Sequence, residues 1–317
     1  MNKGVICLGE ALIDFIPLDQ ENMQFLKSPG GAPANVAVGS ARLGAKTSFI
    51  GKVGDDVLGQ FLKETLDNYQ VNTEAMYLSE DVRTGLVFVT LDKDGEREFS
   101  FYIKKSADQF LVPEEIPVSL FETHNVFHFG SISLIHEPVE LATKKALQLA
   151  KDNGLLVSYD PNLRPMLWSS LEEAKRKITS MLGEADLVKL SETELEFITG
   201  ESDIVRGAEK LKEYQIPLLF VTLGKDGVYV FYKGEHIFVE ARKVESVDTT
   251  GAGDAFVSSL LYQFSEKGKG LDGLTLEELK EIATLASVSG ALAVSTKGAM
   301  TALPTFEQVK EFLASNK

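Results

Sequence analysis

The chain has 317 residues, 44% hydrophobic and 25% charged, with a net charge of −15. This is ordinary globular composition, long enough for one large α/β domain or two smaller ones. The acidic balance argues against nucleic acid or an anionic membrane as partner, because no basic surplus exists to neutralise phosphates.

Residues 5–8 form a short apolar run ending in Gly9-Glu10 and read as a buried first strand. Cys7 lies in it and is the only cysteine, so no internal disulfide is possible and a reducing compartment fits. One Cys and four His make a structural zinc site unexpected. Met1-Asn2-Lys3 precedes an apolar stretch broken by Glu10 and Asp14, so no signal peptide is expected. No apolar run nears membrane-spanning length, and a cytoplasmic location is expected. Asp14 interrupts Leu12-Ile13-Asp14-Phe15-Ile16, either as an exposed position on an alternating strand or as a functional carboxylate.

Residues 28–35, SPGGAPAN, read as a turn into a helix. Gly30 and Gly31 let a ligand approach backbone, Pro33 suits the first helical turn, and Asn35 can both donate and accept. Ala34, Ala37, Val38 and Ala41 make a small-residue face, and Gly44 supplies a stop. The spacing matches neither the dinucleotide fingerprint G-x-G-x-x-G nor the P-loop G-x-x-x-x-G-K-[ST]. Residues 47–52 read as a strand and 56–66 as a helix. Residues 84–91 and 96–103 flank Asp92-Lys93-Asp94-Gly95, a hairpin signal that inside an α/β chain suggests a flap or lid.

From about residue 125 the chain alternates. Strands are predicted at 126–129, 155–159, 187–190 and 218–221, with helices at 137–151, 171–182 and 192–199. The alternation implies a parallel sheet covered by helices. Polar residues fall just after strand ends: Asp160, Asn162 and Arg164; Ser191 and Glu194; Thr222, Gly224 and Gly227. In open α/β sheets ligands bind outside those carboxyl ends. Residues 235–244 read as a further strand and 266–274 as a surface loop. The helix at 279–294 is poor in large residues (Ala283, Ala286, Ser287, Gly290, Ala293), so a neighbour packs closely on it.

Between them lies the stretch with the clearest chemistry, Val247-Asp248-Thr249-Thr250-Gly251-Ala252-Gly253-Asp254-Ala255-Phe256. Phe256, Leu260 and Phe264 follow at helical spacing. The segment is therefore a Gly-rich turn opening a helix. Unpaired N–H groups and the helix dipole make such a turn an anion site suited to phosphate. Asp254 sits in the same turn. It either caps the helix, where Asp is favoured, or serves as the base of a phosphoryl transfer.

Gly30-Gly31-Ala32-Pro33-Ala34-Asn35 and Asp248-Thr249-Thr250-Gly251-Ala252-Gly253-Asp254 together resemble the two signatures of the ribokinase-like (PfkB) carbohydrate kinases. The resemblance covers essentially the whole chain. Within the family it points to the bacterial fructokinases, through Gly9-Glu10-Ala11-Leu12-Ile13-Asp14, Gly51-Lys52-Val53-Gly54-Asp55-Asp56, the hairpin at Gly95-Glu96-Arg97-Glu98-Phe99, and Asp160-Pro161-Asn162-Leu163-Arg164.

The resemblance implies one three-layer α/β/α domain over residues 1–317, with a mostly parallel central sheet. It adds a small β lid, near 12–30 and 83–106, often used as a dimer interface. It implies phosphorylation of the primary hydroxyl of D-fructose by ATP with Mg²⁺, and a K⁺ site. Carried over by residue, Asp254 is the general base and Gly251, Ala252 and Gly253 form the anion hole. Asp14, Gly30, Gly31 and Asn35 hold the sugar, and Arg164 reaches the transferred phosphate. Lys189, Ser191, Thr222, Gly224, Gly227, Gly253 and Ser287 face the nucleotide. Glu194 organises Mg²⁺ through water. Asp248 and Thr250, with carbonyls near Ala293, Thr296 and Gly298, match the K⁺ site. Three positions depart from the ribokinase pattern. Ser191 replaces an Asn, Ser287 an adenine-packing Asn or His, and Ala302 a Ser offered to the cation. Alternative readings are a kinase of 2-keto-3-deoxygluconate, ribose or a nucleoside, and a non-enzymatic sugar sensor.

Overall fold

The structure is a computed structural model describing residues 3–93, 97–268 and 270–315. Its strands are β1 (Val5–Leu8), β2 (Leu12–Pro17), β3 (Phe25–Gly30), β4 (Thr47–Gly54), β5 (Val71–Asn72), β6 (Met76–Ser79), β7 (Leu86–Leu91), β8 (Arg97–Phe101), β9 (Val126–Gly130), β10 (Leu156–Asp160), β11 (Leu187–Ser191), β12 (Leu218–Thr222), β13 (Gly227–Tyr232) and β14 (Glu235–Glu240). Its helices are α1 (Ala32–Arg42), α2 (Val57–Asn68), α3 (Val118–Phe121), α4 (Val139–Asp152), α5 (Leu171–Thr179), α6 (Glu192–Thr199), α7 (Ile204–Lys210), α8 (Ala252–Lys267), α9 (Leu276–Val294) and α10 (Phe306–Ser315).

The large sheet runs β14-β13-β12-β11-β10-β9-β1-β4-β5, with β6 also on β4. It is parallel from β12 to β5 and antiparallel only at the β12-β13-β14 edge. Period-two alternation sends side chains to opposite faces and so builds three layers. Ile6, Leu8, Phe127, Phe129, Val188 and Leu190 pack against helices α4 to α7. Val5, Cys7 and Val126 pack with residues of α1 and α8, and Leu187, Leu218 and Phe220 with α8 and α9. Strands buried on both faces explain why these runs are continuously apolar.

A second sheet, β3-β2-β7-β8, stands apart. It contains the predicted hairpin, whose turn residues Asp94 and Gly95, with Glu96, lie outside the described residues. It also contains β3, which sequence reasoning took for a turn. Ser28 pairs with Asp14 and Gly30 with Leu12, so tertiary pairing overrides the local Ser-Pro-Gly-Gly signal. The strand β13 was also not anticipated. Lys233 (φ 50°) and Gly234 (φ 83°) close it onto β14 by a two-residue turn with both φ positive, a hairpin form that Asn-Gly would have announced. The predicted strand at 235–244 stops at Glu240. Among the described residues no helix is long and apolar enough to cross a membrane.

Helices α1 and α8 approach closely because both carry small residues where they meet. A Cβ on Gly39 would come within 2.7 Å of the Ser258 Cβ, while Ser258 Oγ donates to Asp254 O at 2.6 Å and Val36 O at 3.3 Å. Gly39→Ala therefore forces the helices apart. It should lower stability by about 1–3 kcal/mol, as over-packing does, read as a fall in the urea midpoint.

Candidate active site

The site forms where carboxyl ends of central strands meet the first turns of α1 and α8. Gly251 adopts φ 80°, a left-handed conformation that glycine reaches without strain, and so lets the chain turn into α8. Gly253 follows in the first turn, where a side chain would begin 3.4 Å from Lys189 Nζ. Asp254 is the next residue and is buried (8% exposed). On the other side, Gly31 (φ 101°) opens α1, and a Cβ there would collide with the Glu10 carbonyl. Asn35 lies one turn further along.

These two helix starts are joined directly. Asn35 Nδ2 donates to Asp254 Oδ2 at 2.7 Å. Asn35 Oδ1 is buried and has no hydrogen-bond partner among the described residues. A buried acceptor left open this way calls for a donor from a ligand. Around the pair lies a cavity of about 400 Å³. Leu12, Asp14, Val87, Phe99 and Phe101 of the small sheet line it from above. Gly31 and Ala32, Asp160, Asn162 and Arg164, Glu10 and Ile132, and Thr249 to Gly251 with Gly253 complete the wall.

The charged groups balance one another. Lys189 Nζ pairs with Asp160 Oδ2 at 3.1 Å, both buried. Burial works against the ammonium, but Asp160, Glu194 and Asp254 outweigh it and hold Lys189 above its usual range. Burial raises the Asp254 carboxyl, opposed by the Asn35 bond and by Arg164 and Lys189. Asp14 is raised to about 6, chiefly by burial and partly by Asp254, with Arg164 opposing. Glu10 is raised to about 8, mainly by burial. Its Oε1 accepts the Ala32 N–H at 3.0 Å, at the start of α1. Arg164 Nη1 folds back onto the carbonyls of Leu163 (3.2 Å) and Asn162 (3.4 Å), on the rim.

The cavity thus gathers Asp14, Gly31, Asn35, Arg164, Lys189, Gly251, Gly253 and Asp254. Gly30 lies just behind, where a Cβ would strike the Asp14 carboxylate. Thr250, expected at the cation site, also lines the wall, and the other expected residues fall outside it. Ser191 and Thr222 are register partners at the ends of β11 and β12, on the adjoining stretch of the same sheet edge. Gly224 (φ 51°) makes the following turn, and Gly227 is required where β13 crowds the Val239 carbonyl. Ser287 is half-buried on α9, one turn before Gly290, whose absent side chain leaves room for the Ala252 carbonyl. Glu194 closes a capping box with Ser191 through Oε2 and accepts Leu163 N at 2.8 Å through Oε1.

A further group meets behind α8. Asp248 is buried (3% exposed). Its Oδ1 accepts Thr250 N at 3.0 Å, its Oδ2 accepts Gly298 N at 3.2 Å, and its own N–H donates to Val294 O at 3.1 Å. Thr296 N donates to Ala293 O at 3.2 Å in the same loop. Glu10 is a charged lining residue to which the sequence assigned no role, although it stands in the Gly9-Glu10-Ala11-Leu12-Ile13-Asp14 stretch. Its place directly beyond β1 was the available signal.

The family model for pfkB family carbohydrate kinases matches residues 2–306, and the chain belongs to that family. Fructokinase-2 of Solanum lycopersicum is 45% identical over 318 residues, 98% of this chain and 95% of that protein. The crystal structure of fructokinase with bound ATP from Xylella fastidiosa superposes with a TM-score of 0.93 at 33% identity, covering 100% of this chain and 99% of that one. Fructokinase from Vibrio cholerae O395, holding fructose, ADP and calcium, gives a TM-score of 0.89 at 41% identity over 98% of this chain and 99% of that one. A double mutant of the same enzyme holds fructose, ADP and potassium.

The raised carboxyl of Glu10 has a signed consequence. Its folded pKa near 8 exceeds the ordinary 4.5, so its contribution is fully present below about pH 4.5 and lost as pH rises toward 8. Glu10→Gln imitates the neutral carboxyl. Its urea midpoint should decline less between about pH 5 and about pH 8 than that of the wild type.

Proposed function

We propose that the chain transfers the γ-phosphoryl group of ATP to the primary hydroxyl of D-fructose, giving fructose 6-phosphate and ADP. The observation that carries this reading is the Asp254 carboxylate held by Asn35 at the N-terminus of α8, on the floor of a cavity roofed by the small sheet. The fructokinases to which the chain is similar over nearly its whole length support the choice of sugar. So does the wall itself. Glu10, Asp14, Asp160 and Asp254 suit a neutral polyol, whose hydroxyls donate to them, better than a sugar acid that would add another carboxylate.

In this reading Asp14, Gly30, Gly31 and Asn35 hold the sugar hydroxyls. Asn35 Oδ1 accepts one, while its Nδ2 keeps Asp254 aimed at the reacting hydroxyl. As that oxygen attacks the γ-phosphorus, its proton passes to Asp254 and the bond from phosphorus to the bridging oxygen breaks. The backbone N–H groups of Gly251, Ala252 and Gly253, with the α8 dipole, take up charge on the phosphoryl oxygens. Arg164 swings in from the rim toward the transferred phosphate. Lys189, Ser191, Thr222, Gly224, Gly227 and Ser287 receive the nucleotide along the adjoining strand ends.

The small sheet serves as a lid that excludes water and suppresses wasteful ATP hydrolysis. Leu18, Met23, Leu26 and Tyr102, exposed on it, suit a homodimer through the lid. Mg²⁺ bound with the nucleotide would neutralise phosphate charge, and Glu194, whose two oxygens already accept backbone N–H groups, would face it through ordered water. Asp248 and Thr250, with the carbonyls near Ala293, Thr296 and Gly298, would offer K⁺ an oxygen set, and the cation would fix the start of α8 electrostatically. A cytoplasmic location completes the proposal.

Asp254→Asn is nearly isosteric, and the Asn35 contact can be kept by an amide oxygen. It should retain fructose binding by calorimetry while kcat falls on the order of 10²-fold or more, the scale for losing a general base. Near-normal turnover in that variant would remove Asp254 from the mechanism.

A further inference from the structure

The stretch Gly54-Asp55-Asp56-Val57-Leu58-Gly59 lies away from the cavity wall, yet it is densely hydrogen-bonded. Asp56 caps α2, its Oδ1 accepting Leu58 N at 3.0 Å and Gly59 N at 2.9 Å. A cap would need nothing more. The same carboxylate also reaches across to residue 84. Asp56 Oδ2 accepts Thr84 N at 2.9 Å, and Oδ1 accepts Thr84 Oγ1 at 2.8 Å. Thr84 Oγ1 in turn accepts Gly54 N at 3.0 Å. Neither glycine here is demanded by its φ. A Cβ on Gly54 would strike Asp56 Oδ2 and fall 2.6 Å from Thr84 N, and one on Gly59 would strike the Gly54 carbonyl and fall 2.8 Å from Thr84 Oγ1. The two glycines let the first turn of α2 close on the Gly54 carbonyl and leave room for Thr84, itself 1% exposed, against the same corner.

Thr84 is two residues before β7. The next residue, Gly85, accepts Ile13 N at 3.0 Å through its carbonyl, and β2 and β7 run on side by side from there, pairing Asp14 with Val87. Val87 pairs in turn with Phe101. Asp14, Val87 and Phe101 all line the cavity. The returning chain is pinned to the same strand end. Lys52 Nζ donates to Phe110 O at 3.0 Å and pairs with Glu115 at 2.6 Å. The roof of the cavity thus hangs from β4 by two straps, one at each foot of the β7-β8 hairpin.

We infer that Asp56 is a positioning residue for sugar binding, which through Thr84 sets the register and height of the small sheet over the cavity. This rests on the reading of that sheet as the lid over the sugar. The bonds from Thr84, Gly59 and Leu58 overcome the effect of burial and keep the Asp56 carboxyl below its ordinary range, so it is charged at neutral pH.

Asp56→Asn separates the strap from the cap. Asn caps helices as well as Asp does, so its oxygen can serve Leu58, Gly59 and the Thr84 hydroxyl, leaving an NH₂ against Thr84 N. Thr84→Ser keeps every bond and is the conservative control. For Asp56→Asn, KM for fructose should rise about tenfold, the scale of one charge-assisted hydrogen bond. Values of kcat and KM for ATP should stay within about twofold, and ATP hydrolysis per sugar phosphorylated should increase. Thr84→Ser should match the wild type. In hydrogen exchange, the amides of β7 and β8 should lose protection while those of α2 keep theirs. An unchanged fructose KM together with unchanged β7-β8 exchange would overturn the inference, as would equal loss of protection in α2. If even the wild type fails to phosphorylate fructose, the functional reading fails, and the exchange pattern alone decides whether Asp56 holds the sheet.

Discussion

One hydrogen bond carries the arrangement of this site, the 2.7 Å contact from Asn35 Nδ2 to Asp254 Oδ2. It links residues 219 positions apart and joins the starts of two helices. For it to form, α1 and α8 must lie close, which Gly39 against Ser258 permits. Both helices must also begin at the carboxyl edge of the sheet, which Gly31 and Gly251 arrange by adopting positive φ. The bond settles the orientation of the amide, and that leaves Oδ1 buried without a hydrogen-bond partner among the described residues. In the proposed reaction this single contact would both aim the Asp254 carboxylate and leave a neighbouring acceptor for a ligand hydroxyl.

The electrostatics follow from the acidic composition. A chain of net charge −15 cannot attract polyphosphate by its overall field. The proposed means are local: backbone N–H groups at the start of α8, and Lys189, whose pKa surrounding carboxylates raise. Burial raises Glu10, Asp14 and Asp254 together, so each binds its proton more readily than an exposed carboxylate would. Hydroxyl donors and the cationic groups at the rim would draw those carboxylates back toward their charged forms.

Much of this was legible from the amino acids, for identifiable reasons. The α8 turn reads clearly because its glycines answer a backbone demand and Phe256, Leu260 and Phe264 repeat at helical spacing. The α/β alternation reads clearly because doubly buried strands are continuously apolar. Other features depend on partners distant in sequence. Nothing local says that Ser28-Pro29-Gly30 pairs with β2, or that Lys233-Gly234 turns a hairpin. Glu10 looks like an interruption until β1 is seen to end at the cavity. The division between a cavity holding Asn35 and Asp254 and the neighbouring strand ends carrying Ser191 and Thr222 also needs the register of β11 on β12. The carboxylate of Asp56 is the extreme case. Its capping role is visible in sequence, but its reach to Thr84 appears only in three dimensions.

The most direct test of the central claim is a coupled assay of ADP release with Mg²⁺ and ATP, comparing fructose, ribose, 2-keto-3-deoxygluconate, glucose and a nucleoside, with and without K⁺. The account predicts that fructose has the highest kcat/KM by tenfold or more, about the discrimination that one or two satisfied buried hydrogen bonds supply. A higher value for another acceptor would contradict the reading of the cavity. Sugar binding with no ADP release from any of them would contradict phosphoryl transfer itself.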